Sequence, residues 1–250
     1  MFPSVAKTPP EAIINELNCP FSSPCGEIGA PSGSRGTIAD RVRPEEIKRL
    51  AAACGFELAG VAPAEPLAEW AFYDGWLAAG MAGGMEYLGG PRAAARRDPR
   101  ALLASARSVI CVGKLYHVPP PECLKQDGAE LARISRYAWG LDYHDTLRAG
   151  LVTLARRIGE AAGRNFQWRA AVDTAPLLER ALARRAGLGW IGKNTCLINQ
   201  PRGSWFFLGE LLTSLELEPD SPPPDRCGSC TRCIDACPTR AIVPSAGGSG

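Results

Sequence analysis

Apolar and polar positions along this chain switch repeatedly between a helical and a strand period. Pro44-Glu-Glu-Ile-Lys-Arg-Leu-Ala-Ala-Ala-Cys-Gly55 predicts a helix: Pro44 opens it, acids fill its first turn and Gly55 closes it. Phe56 to Ala62 reads as a short buried strand. A second helical stretch runs from about Pro66 to Ala79, followed by a turn or flexible loop at Gly80-Met-Ala-Gly-Gly-Met85. Ser108 to Leu115 is β-branched and apolar, as a central strand should be, and the Pro-rich stretch from Val118 to Glu122 breaks it. Leu147, Leu151, Leu154, Ala155 and Ile158 recur at helical spacing within Asp142 to Ala162, and Gly163 ends the pattern. Trp168 to Val172 is strand-like, with Asp173-Thr174 at its C-terminal end. Pro176 is expected to start the next helix and Gly187 to end it. Two extended runs follow, Gly189 to Ile198 and Ser204 to Leu215. Strands alternating with helices predict an α/β fold, a sheet layered with helices.

Composition adds bounds. With 250 residues and 46% hydrophobic content, the chain can bury one substantial core plus a small appendage. No apolar run reaches the ~18 residues of a membrane span. Residues 1–40 have few periodic apolar positions and much Pro, Gly and Ser, and are expected to be a disordered leader or an over-extended reading frame. Residues 41–218 would form the main α/β domain. A stiff linker with four prolines between Glu218 and Asp225 leads into a cysteine-bearing tail within 219–250. The formal charge of +2 says little as a total, but Arg92, Arg96, Arg97, Arg100 and Arg107 cluster around a single acid, Asp98. Such a cluster is either a solvated surface or a face for phosphates or RNA.

The sharpest motif is Cys227-x-x-Cys230-x-x-Cys233-x-x-x-Cys237-Pro238. This is the spacing by which bacterial ferredoxins hold iron–sulfur clusters, the fourth cysteine serving the other cluster where there are two. Structural zinc prefers two separated cysteine pairs, and disulfides belong to secreted chains, whereas the N-terminus carries no basic region followed by an apolar core. No cysteine follows Cys237, so the motif begins a two-cluster module without completing it. Cys19, Cys25, Cys54, Cys111, Cys123 and Cys196 follow no ligand spacing and read as buried or incidental thiols.

Among the remaining candidates, Asp173 sits where open α/β sheets bind ligands, outside the carboxyl end of a strand. On position alone, the reading to prefer is a cap of the following helix, because Asp-Thr-Ala-Pro is a good capping sequence. Gly187-Leu-Gly-Trp-Ile-Gly-Lys-Asn194 supplies glycines and a lysine but is neither a Walker loop nor a dinucleotide fingerprint. His117 and His144, the only histidines, have no partner at metal-ligand spacing and read as satisfied polar residues.

Four segments together resemble the epoxyqueuosine reductases: Arg136-Tyr-Ala-Trp-Gly-Leu-Asp-Tyr-His144; Asp173-Thr-Ala-Pro-Leu-Leu-Glu-Arg180 with Ala186-Gly-Leu-Gly-Trp-Ile-Gly-Lys-Asn194; Gly203-Ser204 with Leu208-Gly-Glu210; and the cysteine run through Ala241. The resemblance covers roughly residues 41 to 243, with order and spacing held throughout. It implies a cobalamin-binding α/β domain followed by a ferredoxin-like segment for two [4Fe–4S] clusters. The implied reaction is reduction of the epoxide of epoxyqueuosine in tRNA to queuosine, in the cytoplasm, by a monomer supplied by an electron-donor protein or reductant. The resemblance makes Asp173 the proton donor to the epoxide oxygen, a role that requires its carboxyl to be protonated near neutral pH. It puts Arg96, Ser135, Leu197 and Leu208 against cobalamin. It makes Cys227, Cys230 and Cys233 ligands of the cluster nearer the cobalt and Cys237 a ligand of the second. Members of that family continue after the position of Val243 with further cysteines and a helical-repeat domain, so the expectation is an incomplete member. Two other classes compete. An iron–sulfur electron carrier would not need the large α/β domain bearing Asp173. A corrinoid-dependent reductive dehalogenase shares the cofactor layout but is usually exported with a twin-arginine leader, which is not visible here.

Overall fold

The structure, a computed structural model, describes residues 42–119 and 134–244. The proposed leader, Cys19, Cys25, Cys123 and the last residues of the tail lie outside them. Its centre is a four-stranded sheet of β1 (Leu58–Pro63), β2 (Ser108–Leu115), β3 (Trp168–Ala171) and β6 (Phe206–Thr213), in the order β1-β2-β6-β3. Two two-residue strands, β4 (Trp190–Ile191) and β5 (Leu197–Ile198), pair separately. The helices are α1 (Pro44–Ala53), α2 (Trp70–Ala78), α3 (Gly90–Arg97), α4 (Tyr143–Ala162), α5 (Glu179–Arg185) and the single turn α6 (Arg232–Asp235).

Every pairing in the main sheet is antiparallel. Strands and helices alternate along the chain as expected, yet the sheet is not the parallel kind that brings all carboxyl ends to one edge. The rule that singles out such an edge therefore does not locate the site here.

Strand periodicity divides the core into two layers. Ile110 and Val112 of β2 and Leu211 of β6 face α1 and α4, burying Ile47, Leu50, Leu147, Leu151, Leu154 and Ile158. Val109 and Cys111 of β2 and Leu212 and Phe206 of β6 face α5, with Leu182, Ala183, Leu188 and Leu197. α4 starts at an Asp142 cap, whose Oδ1 accepts the His144 N–H at 2.9 Å, and ends at left-handed Gly163 (φ 62°). α5 packs so closely on the sheet that a Cβ on Gly60 would lie 1.9 Å from the Ala186 carbonyl oxygen. Among the described residues no helix is long and apolar enough to cross a membrane.

The expected helix from Pro176 begins later, at Glu179, and Leu178 holds its N-cap position without a side-chain hydrogen bond. Asp173 lies five residues before that cap, so the capping reading fails. The extended run Gly189 to Ile198 contains only the two short strands β4 and β5, joined by a turn.

Candidate active site

β6 delivers two different side-chain rows to one end of the sheet. Phe206, Leu208, Glu210 and Leu212 point into the α5 layer, while Phe207, Gly209 and Leu211 point toward α4. On the α4 side, Phe207 stacks on Tyr143 with ring centroids 4.1 Å apart and planes 2° apart. Tyr143 in turn stacks on His144, also at 4.1 Å. This column begins where α4 begins and brings His144 toward the loop that follows β3.

That loop presents Asp173. Its φ of 48° is left-handed, a conformation non-glycine residues rarely adopt and one that costs on the order of 1–3 kcal/mol. Three contacts hold the segment. The Asp173 N–H donates to Glu179 Oε1 at 2.8 Å, His144 Nε2 lies 3.2 Å from Asp173 Oδ2, and Arg92 donates to the Thr174 carbonyl at 2.7 Å. The Asp173 side chain remains 57% exposed, open to a bound molecule.

The neighbouring groups are tuned. His144 also meets Asp142 Oδ1 through Nδ1 at 2.8 Å. Burial alone would oppose a charge on its ring, but the hydrogen bonds with Asp142 and Asp173 outweigh it and raise the imidazole above its ordinary value. Tyr143 is pushed up to about 12, first by burial and then by the Asp173 and Glu179 charges, so it stays a neutral phenol. Glu210 is fully buried and its pKa lies well above the usual carboxylate range, through burial and the facing Glu179. Glu179 is raised too, chiefly by burial.

The expected cofactor residues surround this end in part. Leu197 and Leu208 belong to one apolar layer, the α5 side. Arg96 is 9% exposed, donates to the Arg92 carbonyl at 3.2 Å, and pairs with no carboxylate among the described residues. Its guanidinium thus has donors to spare for a polar ligand edge. Ser135 is exposed and precedes a turn, Arg136–Ala138, whose Arg136 guanidinium lies 5.6 Å from the Trp139 ring and 5.2 Å from that of Trp205. Of the arginine cluster, Arg100 pairs with Asp98 on the surface, Arg92 reaches the Thr174 carbonyl, and Arg96 bonds back to its own helix and lies over the Tyr73 ring.

The cysteine segment is anchored by Lys193, which donates to the carbonyls of Gly228 at 2.7 Å and Cys230 at 3.2 Å. Cys227, Cys230, Cys233 and Cys237 have the donor chemistry for iron. In this arrangement, however, no three of the described His, Cys, Asp or Glu side chains form a group able to hold a metal ion. The ligand set suggested by the spacing is not assembled.

His144, Glu179, Glu210 and Lys193 carried no functional expectation from the sequence, and Arg92 carried only that of the arginine cluster as a whole. Glu210 carried one signal, a charged residue in a strand position that period 2 assigns to the core. The contacts of His144, Lys193 and Arg92 span 29 to 82 residues and leave no local mark, while that of Glu179 spans six.

The family model described as epoxyqueuosine reductase QueG, DUF1730, matches residues 96–174. An epoxyqueuosine reductase of Gloeobacter violaceus is 49% identical over 203 residues, covering 80% of this chain and 61% of that protein. One from Synechococcus sp. RCC307 is 41% identical over 229 residues, covering 89% of this chain and 67% of the relative. The chain belongs to the epoxyqueuosine reductase family. A crystal structure of an epoxyqueuosine reductase with an epoxyqueuosine-modified tRNA-Tyr stem loop is also similar, with a TM-score of 0.65 and 30% identity. The match covers 79% of this chain and 52% of that one. This member of the epoxyqueuosine reductase family thus spans roughly three fifths of the length of the first curated relatives it matches.

Proposed function

We propose that this chain carries the reductase site of an epoxyqueuosine reductase, which converts epoxyqueuosine in tRNA to queuosine. The observation that carries this reading is Asp173: an exposed carboxyl on a strained backbone, clamped at its amide and bonded to an imidazole. A residue held this way is positioned for proton transfer. Asp173 protonates the epoxide oxygen as its C–O bond breaks. The overall change takes up two electrons and two protons and releases the ring oxygen as water. His144 Nε2, 3.2 Å from Asp173 Oδ2, can return a proton to the carboxyl after each turnover. Tyr143, as a neutral phenol stacked on Phe207, walls this side of the site.

Cobalamin bound here would supply reducing electrons to the site. Arg96, Ser135, Leu197 and Leu208 would hold it, the two leucines against apolar surface and Arg96 against a polar edge. Cys227, Cys230 and Cys233 would hold one [4Fe–4S] cluster only after the segment brings their thiols together, and Cys237 would serve the second; no step is assigned to either. Residues 41–218 then form the cofactor domain and 219–250 the linker and cluster segment. The partner is tRNA bearing epoxyqueuosine, in line with the stem loop held by the related crystal structure. Exposed Tyr137 and Trp205 beside the Arg136 cation supply the stacking chemistry that holds unpaired bases. A cytoplasmic monomer with a separate electron donor completes the reading.

The test is Asp173→Asn in a fusion that supplies the remaining C-terminal part of a full-length relative. Loss of a positioned general acid costs about 10²–10⁴-fold in rate. The Asn variant should lose queuosine formation to that extent while titrating with cobalamin as the parent does. Near-parental turnover would remove Asp173 from the chemistry.

A further inference from the structure

Four polar side chains are buried among the described residues: Arg96, Ser108, Glu210 and Thr213. Ser108 Oγ accepts the Leu217 N–H at 3.0 Å and Thr213 Oγ1 accepts the Leu215 N–H at 3.1 Å. Arg96 donates to a carbonyl. Glu210 differs. Neither of its oxygens meets an N–H or O–H donor, and it has no exposed area at all. It sits in the middle of the sheet, between Cys111 of β2 and Ala171 of β3, in an otherwise apolar row. The polar group that faces it is the carboxyl of Glu179, the first residue of α5.

Two carboxylates cannot hydrogen-bond to each other, and a fully buried carboxyl facing a half-buried one with no cation between them disfavours ionisation of both. One proton is therefore favoured between them, where it turns two acceptors into a donor and an acceptor. The groups around the pair do not remove that preference. Asp173, when ionised, adds a negative charge on the loop that raises Glu179 further, and Cys111 is a thiol whose ionisation the burial opposes. Tyr143 is a neutral phenol on α4. Arg180 is a cation acting on Glu179, but its guanidinium is turned to the Thr195 carbonyl and hydroxyl.

We propose that Glu179 and Glu210 form a one-proton carboxyl pair that acts as a positioning device for Asp173. The shared proton fixes the Glu179 carboxyl against the sheet, and the fixed Oε1 then accepts the Asp173 N–H at 2.8 Å. That bond holds the Asp173 backbone in its left-handed turn and aims the carboxyl outward. The device links β6, α5 and the loop after β3 through two carboxyl groups. Its significance for catalysis rests on Asp173 being the proton donor, but its existence does not.

The experiment uses the chain alone, without cofactor or substrate. Glutamate labelled with ¹³C at the side-chain carboxyl is followed by NMR and by difference infrared spectroscopy. At pH 7 the parent should show one protonated glutamate, absent in both Glu210→Gln and Glu179→Gln and retained in Asp173→Asn. Amide exchange at Asp173 reads the positioning step. Glu179→Gln keeps a carbonyl oxygen for the Asp173 N–H and should preserve its protection. Glu179→Ala should speed exchange about tenfold, the weight of one hydrogen bond, with the α4 amides unchanged. A parent with no protonated glutamate at pH 7 overturns the pair. Equal Asp173 exchange in the Ala and Gln variants overturns the positioning role. Should Glu179→Ala not fold, Asp173 exchange in Glu210→Ala replaces it, again expected faster than in Glu210→Gln. Because none of these signals involves turnover, their outcome is separate from that of Asp173→Asn in the completed enzyme.

Discussion

Arg92 of α3 donates to the carbonyl oxygen of Thr174 at 2.7 Å across 82 residues of sequence. The bond ties the start of the arginine cluster to the residue beside Asp173. The cluster is thus neither purely a solvated surface nor purely an anion face, since one member is part of the loop's scaffold. Arg96, one helical turn later, donates to the Arg92 carbonyl. α3 therefore reaches the site through the Arg92 side chain.

The first expectation follows from that bond. Arg92→Ala in the completed enzyme should lower kcat by roughly tenfold, the lower end for a hydrogen bond from a charged donor at an exposed position. Thermal stability should hardly move, because the loop carries little of the core. Steady-state turnover beside a melting curve checks this, and a large loss of Tm would mean that Arg92 supports the fold rather than the loop.

Gly60 offers a test of the packing between β1 and α5. A Cβ there would lie 1.9 Å from the Ala186 carbonyl oxygen and 3.0 Å from Leu188 Cδ1. Gly60→Ala must push the end of α5 off the sheet, an overpacking cost of about 1–3 kcal/mol or more. For a chain of this size each kcal/mol lowers Tm by about 2–4 °C. Calorimetry that found an unchanged Tm would contradict the close approach.

The pH dependence of stability has a fixed sign. His144 has a folded pKa above its usual 6.5, so its contribution is fully present below that value and fades as pH rises through the folded one. Glu210 holds a proton in the folded chain that an unfolded glutamate releases near 4.5. The folded state binds more protons in both cases, so stability should fall as pH rises from about 5 to beyond neutrality. Glu210→Gln should flatten this fall and be more stable than the parent at pH 8, with little difference at pH 4. Thermal melts across the range decide it; a parent whose Tm rises over this interval would refute both assignments.

Iron loading tests the cysteine segment. Anaerobic reconstitution with iron and sulfide should load at most one cluster, about four irons per chain, because Cys227, Cys230 and Cys233 can grip only one. Its formation must move the segment, since the thiols do not converge in the arrangement described. Triple substitution of these cysteines by Ser should abolish loading, and iron near eight per chain would contradict the assignment.

Local patterns determined much of the architecture. The periodicity of Leu147, Leu151, Leu154 and Ile158 located α4, and the Asp142 and Gly163 signals located its ends, because capping and amphipathic spacing act over a few residues. The strands β1, β2, β3 and β6 follow from short apolar runs in the same way. Their antiparallel order did not, since a run of apolar residues says nothing about which neighbour it pairs with. The segment from Asp173 to Leu178 misled for a related reason: Pro176 permits a helix start, but contacts with Arg92 and His144 hold the chain out of helix until Glu179. Motif order alone pointed to Asp173. Only the tertiary structure could bring His144 to its carboxyl and Glu179 to its amide, and set Glu210 opposite Glu179. The His144 and Glu210 contacts join residues about thirty apart, the Glu179 contact spans a six-residue loop whose conformation no local propensity sets, and a buried carboxyl acquires its unusual proton from its surroundings, which no sequence position carries by itself.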